Sequence, residues 1–169
     1  RRAKKWDADT GVEELTFEEG HLYLASVARF FDNDLKLLTA AVDNTARIWD
    51  VASGVQLARL DGTGQRGVAC VSPDNQWVLT GGENGAVQIW SVAEAVRDKS
   101  APKLKSVRVL AGHKYDISTA TYSPDGSKIL TGDVSGICIV WDASTGKLLG
   151  RLRGHTKGIT QVVFVTGDV

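Results

Sequence analysis

A hydroxyl, an imidazole and a carboxylate stand close together in one stretch of the chain, at Thr39, His21 and Asp43. Those are the residue types of a nucleophilic hydrolase, in which the imidazole takes the hydroxyl proton and the carboxylate orients the imidazole. Gly62, Gly64 and Gly67 carry the spacing of a dinucleotide-binding loop, where glycines let the backbone approach a pyrophosphate at a helix N-terminus. The Asp32-Asn-Asp34 turn presents oxygen ligands of the kind calcium takes. Neighbouring residues decide against the last two. After Gly67 comes Val-Ala-Cys-Val-Ser-Pro-Asp, a strand and a turn where the pyrophosphate needs a helix. A calcium loop requires a further Asp or Asn at position 36, which is Lys36. The histidines and cysteines are too dispersed for a zinc site. No metal or cofactor is expected.

The 169 residues are enough for one domain with a sizeable core. Twenty basic residues balance twenty acidic ones, so the whole chain makes no electrostatic case for nucleic acid or an anionic membrane. No apolar stretch approaches the ~20 residues needed to span a bilayer. Cys70 and Cys138 each fall in an apolar, strand-like run and read as small buried thiols, not as a disulfide framework. The chain has no methionine, shows no signal peptide and starts at a strand end, so it reads as a piece of a longer polypeptide. An intracellular, cytoplasmic setting is favoured.

The elements that would position these side chains repeat. Thr39-Ala-Ala-Val-Asp-Asn-Thr-Ala-Arg-Ile-Trp49-Asp returns as Thr80-Gly-Gly-Glu-Asn-Gly-Ala-Val-Gln-Ile-Trp90-Ser and as Thr131-Gly-Asp-Val-Ser-Gly-Ile-Cys-Ile-Val-Trp141-Asp. Each has turn-forming residues between two apolar runs, the pattern of a β-hairpin ending on a buried indole. With Trp6-Asp7 as the tail of an earlier copy, tryptophan recurs at intervals of 43, 41 and 51 residues. That period marks a repeat architecture. A glycine-closed turn and an outer strand follow the tryptophan, at 12–17, 55–60 and 147–152. A glycine-centred loop and an apolar run come next, the runs at 24–30, 68–71, 117–122 and 159–164, which read as inner strands buried on both faces. A turn such as Ser72-Pro-Asp-Asn75 or Ser123-Pro-Asp-Gly126 leads back to the hairpin. Each unit is thus four short antiparallel strands. Residues 91–106 form an insertion, with a helical turn expected at 92–96 and a polar, solvated loop at 97–105.

The Gly-His loop, the Ser-Pro-Asp-Gly turn, the Thr-Gly and Trp-Asp signals and the period together resemble the WD-repeat β-propeller family. The resemblance covers essentially the whole chain. It implies an all-β fold of four-stranded antiparallel blades packed around a channel. We read 1–19 as a partial blade, 20–61, 62–110 and 111–153 as whole repeats, and 154–169 as the start of another. Closed rings of this family have about seven blades, so this is roughly half a propeller, with open edges for other blades or subunits to cover.

The resemblance also implies a hydrogen-bonded network in each blade, running from histidine to threonine, aspartate and tryptophan. It maps onto His21, Thr39, Asp43 and Trp49 in the first repeat and onto Thr80 and Trp90 in the second, where Thr63 and Asn84 replace histidine and aspartate. In the third it maps onto His113, Thr131 and Trp141, with Ser135 in the aspartate position, so one blade alone is expected to be complete. This accounts for the hydrolase-like set. Its hydroxyl lies inside a strand and recurs in every unit, whereas catalysis needs one exposed nucleophile. No catalytic residue is expected.

Family members mostly bind proteins or peptides through the face made by the Gly-His loops and hairpin turns. The implied contact residues are Leu22, Leu24 and Val42 in the first repeat, Arg66 and Glu83 in the second, and Lys114, Asp116 and Val134 in the third. An apolar trio with a charged border suits a partner protein or peptide. The reading is a non-enzymatic interaction scaffold; the alternative is a structural segment organising a large assembly without a ligand pocket.

Overall fold

A computed structural model of the chain describes residues 3–17, 20–97 and 105–165. Three four-stranded antiparallel sheets follow one another along it. The first is β3 (Ala25–Phe31), β4 (Lys36–Ala41), β5 (Thr45–Asp50) and β6 (Gln56–Asp61). In the second, β7 (Val68–Val71), β8 (Trp77–Gly81) and β9 (Val87–Ser91) are joined by β10 (Arg108–Leu110) beyond a short helix, α1 (Val92–Arg97). The third is β11 (Ile117–Tyr122), β12 (Lys128–Asp133), β13 (Cys138–Asp142) and β14 (Leu148–Leu152). A two-stranded ladder, β1 (Lys4–Trp6) and β2 (Glu13–Thr16), precedes them. The polar part of the insertion, 98–104, lies outside the described residues.

Cross-strand register explains the spacing of threonine and tryptophan. Trp49 stands opposite Leu37, and Thr39 is two residues further along β4, so both side chains share a face. The same holds for Trp90 opposite Val78 with Thr80, and for Trp141 opposite Ile129 with Thr131. Each indole turns back toward the preceding sheet. Trp49 packs on Phe17, Trp90 joins Leu38, Ile48 and Leu60, and Trp141 joins Leu79, Ile89 and Leu110. These seams between sheets are the core; all three tryptophans are at most 3% exposed. Trp6 has no such hairpin before it among the described residues and is 54% exposed.

Two expectations are corrected. The inner strands are not uniformly buried: β7 is, but β3 is largely open, with Phe30 45% exposed. The cause is neighbours, because β7 lies between β3 and β4 on one side and β11 on the other. Residues 159–164 pair with no strand among the described residues, although Ile159, Val162 and Phe164 still cover Leu130 and Cys138 of the third sheet. Both cysteines are buried free thiols.

The seams also interlock through the backbone. Ile117 N–H donates to Gly82 O at 3.1 Å, and Ile159 N–H donates to Asp133 O at 3.0 Å. Gly81 and Gly132 leave room for those isoleucines, whose Cγ2 atoms would lie 2.5 and 2.8 Å from an added Cβ. The residue five beyond each threonine, Asn44, Gly85 or Gly136, has a positive φ that turns the hairpin tip toward the next sheet. A Cβ on Gly85 would meet His113 O at 2.4 Å, and one on Gly136 would meet His155 O at 2.7 Å.

Apolar side chains stand exposed at both ends of the row, Phe30 of β3 at one and Val163 and Val165 at the other. A seam the size of an inter-domain contact, ~600–1,500 Å² at ~25 cal/mol/Å², is worth on the order of ten kcal/mol gross. The 169-residue segment by itself is therefore expected to self-associate. Sedimentation velocity checks this, and a stable monomer with a single cooperative unfolding transition is the contrary result.

Candidate functional site

One end of the sheets gathers the hairpin tips and the glycine-centred loops, and beneath it lie the polar networks. In the first sheet Trp49 Nε1–H donates to Thr39 Oγ1 at 2.8 Å, Thr39 Oγ1 is 2.8 Å from His21 Nε2, and His21 Nδ1 is 3.0 Å from Asp43 Oδ2. One protonation pattern satisfies every group: Thr39 O–H donates to Nε2, and Nδ1–H donates to the carboxylate. The Asp43 side chain is 4% exposed and is further held by Thr45 Oγ1–H and Leu22 N–H.

The third sheet carries a complete network, contrary to the expectation that its aspartate is replaced by Ser135. Asp133 takes the part. His113 Nδ1 is 2.7 Å from Asp133 Oδ2, His113 Nε2 is 2.7 Å from Thr131 Oγ1, and Trp141 Nε1–H reaches Thr131 at 2.8 Å. Counting from threonine places the carboxylate two residues early. Its local turn is unchanged, because Ser135 N–H and Oγ–H bond Asp133 Oδ1 as Thr45 bonds Asp43. The second sheet retains one link, Trp90 Nε1–H to Thr80 Oγ1 at 2.9 Å. Thr63 turns instead to Ala41 O of the first sheet, and Asn84 N–H turns to Asp116 Oδ1 of the third.

The decoys resolve locally. Gly67 is followed directly by β7, and a Cβ there would lie 2.2 Å from Ser26 Oγ, so that glycine serves a seam. Lys36 donates to Asp32 within the acidic turn.

Above the networks, Leu22, Leu24, Arg66, Glu83 and Lys114 are exposed, while Val42, Asp116 and Val134 are half-buried. Leu24 O accepts from Val42 N–H at 3.1 Å, which gathers Leu22, Leu24 and Val42 on one blade. Asp116 O accepts from Val134 N–H in the same way. Two exposed aromatics, Tyr23 and Tyr115, were missed; each lies two residues after a loop histidine, a recurrence that could have exposed them.

Burial pushes the His21 imidazole below its ordinary value, against the raising influence of Asp43, and burial does the same to His113 against Asp133. Burial pushes Asp43 and Asp133 up, but bonds from Thr45 and Leu22 in one, and from Ser135 and His113 in the other, leave both carboxyls low. An unfolded chain then takes up protons on these histidines before the folded one does. Stability from this source is constant above pH 6.5, the ordinary histidine value, and is lost as pH falls below it. The unfolding free energy of the full-length protein, from denaturant titrations, is expected to be level from neutral to mildly basic pH and to fall toward pH ~5, by at most ~1.4 kcal/mol per histidine per unit. His113→Asn should flatten that slope, and an unchanged slope contradicts the assignment. Trp49→Phe and Trp141→Phe should each cost about 1 kcal/mol more than Trp90→Phe, whose threonine has no histidine behind it. Equal losses at all three positions contradict the networks.

The family model described as WD domain, G-beta repeat matches residues 12–50, 54–91 and 104–142. Nuclear distribution protein nudF of Aspergillus niger is 29% identical over 97% of this chain and 40% of its own length. The guanine nucleotide-binding protein subunit beta of Arabidopsis thaliana is 27% identical over 94% of this chain and 43% of its own. The DENN domain and WD repeat-containing protein SCD1 of Arabidopsis thaliana is 26% identical, with 94% of this chain matched to 13% of that protein. The chain thus spans about two fifths of the length of the first two. With three matched repeats, each running from an outer strand to the Trp of the next sheet, the chain belongs to the WD-repeat family.

Proposed function

We propose that the chain is a non-enzymatic scaffold that captures a partner protein or peptide on the face of the Gly-His loops. The observation that carries this reading is the exposure of Leu22 (79%), Tyr23 (60%) and Leu24 (62%) on a single loop. Apolar side chains at a loop tip add nothing to the core, and a cluster of them, with Arg66, Glu83 and Lys114 exposed in the corresponding loops and hairpins of the following blades, has the make-up of an interface centre and rim. Charge on that rim sets the orientation of the partner more than its affinity. The polar networks beneath are the support: buried and mutually bonded, they offer no exposed nucleophile.

A second reading, a structural segment within a large assembly, is favoured by the exposed apolar edges and by a relative named as a subunit. The two leucines separate the readings. Leu22 corresponds to the exposed Lys114, whereas Leu24 corresponds to Asp116, which bonds the hairpin of the preceding sheet. Leu22→Asp in the full-length protein is expected to reduce partner capture at least tenfold in a pull-down and to leave thermal unfolding unchanged. Leu24→Asp should do the same if its loop is free. A variant that unfolds places its leucine in a seam and removes it from the face.

A further inference from the structure

At the opposite end of the blades, in the seam between the second and third sheets, lies a cavity of about 720 Å³. Repetition separates what the fold requires there from what it does not. Tyr122 pairs with Ile129, two residues before Thr131; the equivalent positions of the other sheets are Phe30 and Val71, neither with a hydroxyl. Trp77, three residues before Thr80, corresponds to Lys36 and Lys128. Both departures from the repeat, on adjoining blades, line the same cavity. The Tyr122 ring belongs to the apolar core of the seam, but neither its hydroxyl nor the Trp77 indole is needed to build a blade.

Tyr122 is 9% exposed, and its hydroxyl has no hydrogen-bond partner among the described residues. Such a group is costly in a fold and invites a ligand that completes it. Burial, with further contributions from Cys70 and Asp74, pushes the phenol up against an opposing pull from Arg108, so the hydroxyl stays protonated in the field of Asp74. Trp77, 37% exposed, and Ile89 provide an aromatic and aliphatic wall. Three carboxylates, Asp74, Asp125 and Asp142, and one guanidinium, Arg108, also line the cavity. Arg108 is committed to Ala143 O at 2.9 Å. Asp74 accepts its bonds through Oδ1, from Ser72 and Gln76, and Asp142 accepts through Oδ1 from Ser144 and Thr145. The Oδ2 of each takes no hydrogen bond from the described residues.

We propose that this cavity receives a lysine side chain from a basic peptide segment of a partner protein. An ammonium brings three donors and no acceptor, matching the two open carboxylate oxygens, and it meets the phenol oxygen, which is shielded from solvent in the unliganded cavity, once the tyrosine ring turns slightly outward. Its methylene stem lies along Ile89 and the Trp77 face, which also attracts the cation. Arginine suits the site less, because its planar fork favours two oxygens of one carboxylate, whereas Asp74 and Asp142 each have only one free and Asp125 accepts from its own turn through both. The cavity exceeds the volume of one side chain and opens at the surface, leaving space for peptide backbone on both sides. This site is independent of the loop face, and each can fail without the other.

The test uses the full-length protein and a fluorescein-labelled hexapeptide of alternating lysine and serine, followed by fluorescence polarisation. Tyr122→Phe is expected to weaken binding about tenfold, as loss of a hydrogen bond to a charged group does, while leaving unfolding temperature unchanged or raised, since the unpartnered hydroxyl is gone. Asp74→Asn and Asp142→Asn, which keep Oδ1 for the turns, should weaken it similarly, and Leu22→Asp should leave it intact. The same peptide with norleucine for lysine should not bind. Equal binding by Tyr122→Phe, or by the norleucine peptide, overturns the proposal. Competition by n-butylammonium as effective as by the unlabelled peptide overturns the assignment to a peptide segment.

Discussion

A single bond, the indole N–H of tryptophan to the hydroxyl of a threonine ten residues earlier, is the constraint from which each blade is built. It occurs at Trp49, Trp90 and Trp141 with lengths of 2.8–2.9 Å. The bond fixes a large aromatic ring on one face of a hairpin, and the ring then fills the seam behind it. A buried indole N–H left unpaired would oppose that packing, so burial and hydrogen bonding are inseparable here. What lies beyond the threonine is more variable. Histidine and aspartate complete the chain of bonds in the first and third sheets, while the second uses the same space for bonds to its neighbours.

That difference explains how much was legible from the residues alone. The hairpins were, because strand register leaves little choice about where threonine and tryptophan sit. The third carboxylate was not, because its position depends on a local turn and not on distance from the threonine. Asp43-Asn-Thr45 and Asp133-Val-Ser135 are the same three-residue device, in which Asp accepts from the residue two further on. Seen that way, the signal was present in the sequence two residues from where it was sought. Strand burial was illegible for another reason. β3 and β7 are both rich in apolar side chains, yet only β7 is flanked on both sides, and no strand encodes its neighbours.

The exposed chemistry divides between the two ends of the blades. At the loop end it is apolar and aromatic, with Tyr23 and Tyr115 beside the leucines. At the other end it is acidic around an aromatic wall, and turns hold two of the carboxylates low: side-chain hydrogen bonds from Ser123 keep Asp125 at about 2, and those from Thr145 do the same for Asp142. Opposed surfaces of unlike chemistry on a rigid body can hold two unlike molecules at a set distance. The family resemblance and the relatives describe the body; these side chains, which differ from blade to blade, are where this chain has its own character.

The hairpin tips have a consequence for synthesis. Each tip is closed by backbone from the repeat that follows, as where the His113 carbonyl presses on Gly85 and Ile117 N–H reaches Gly82 O. On the ribosome, therefore, a blade can pair its own four strands as it emerges but cannot seal its trailing side until the next inner strand is made. Translation speed across one repeat governs how long the blade ahead of it stays unsealed.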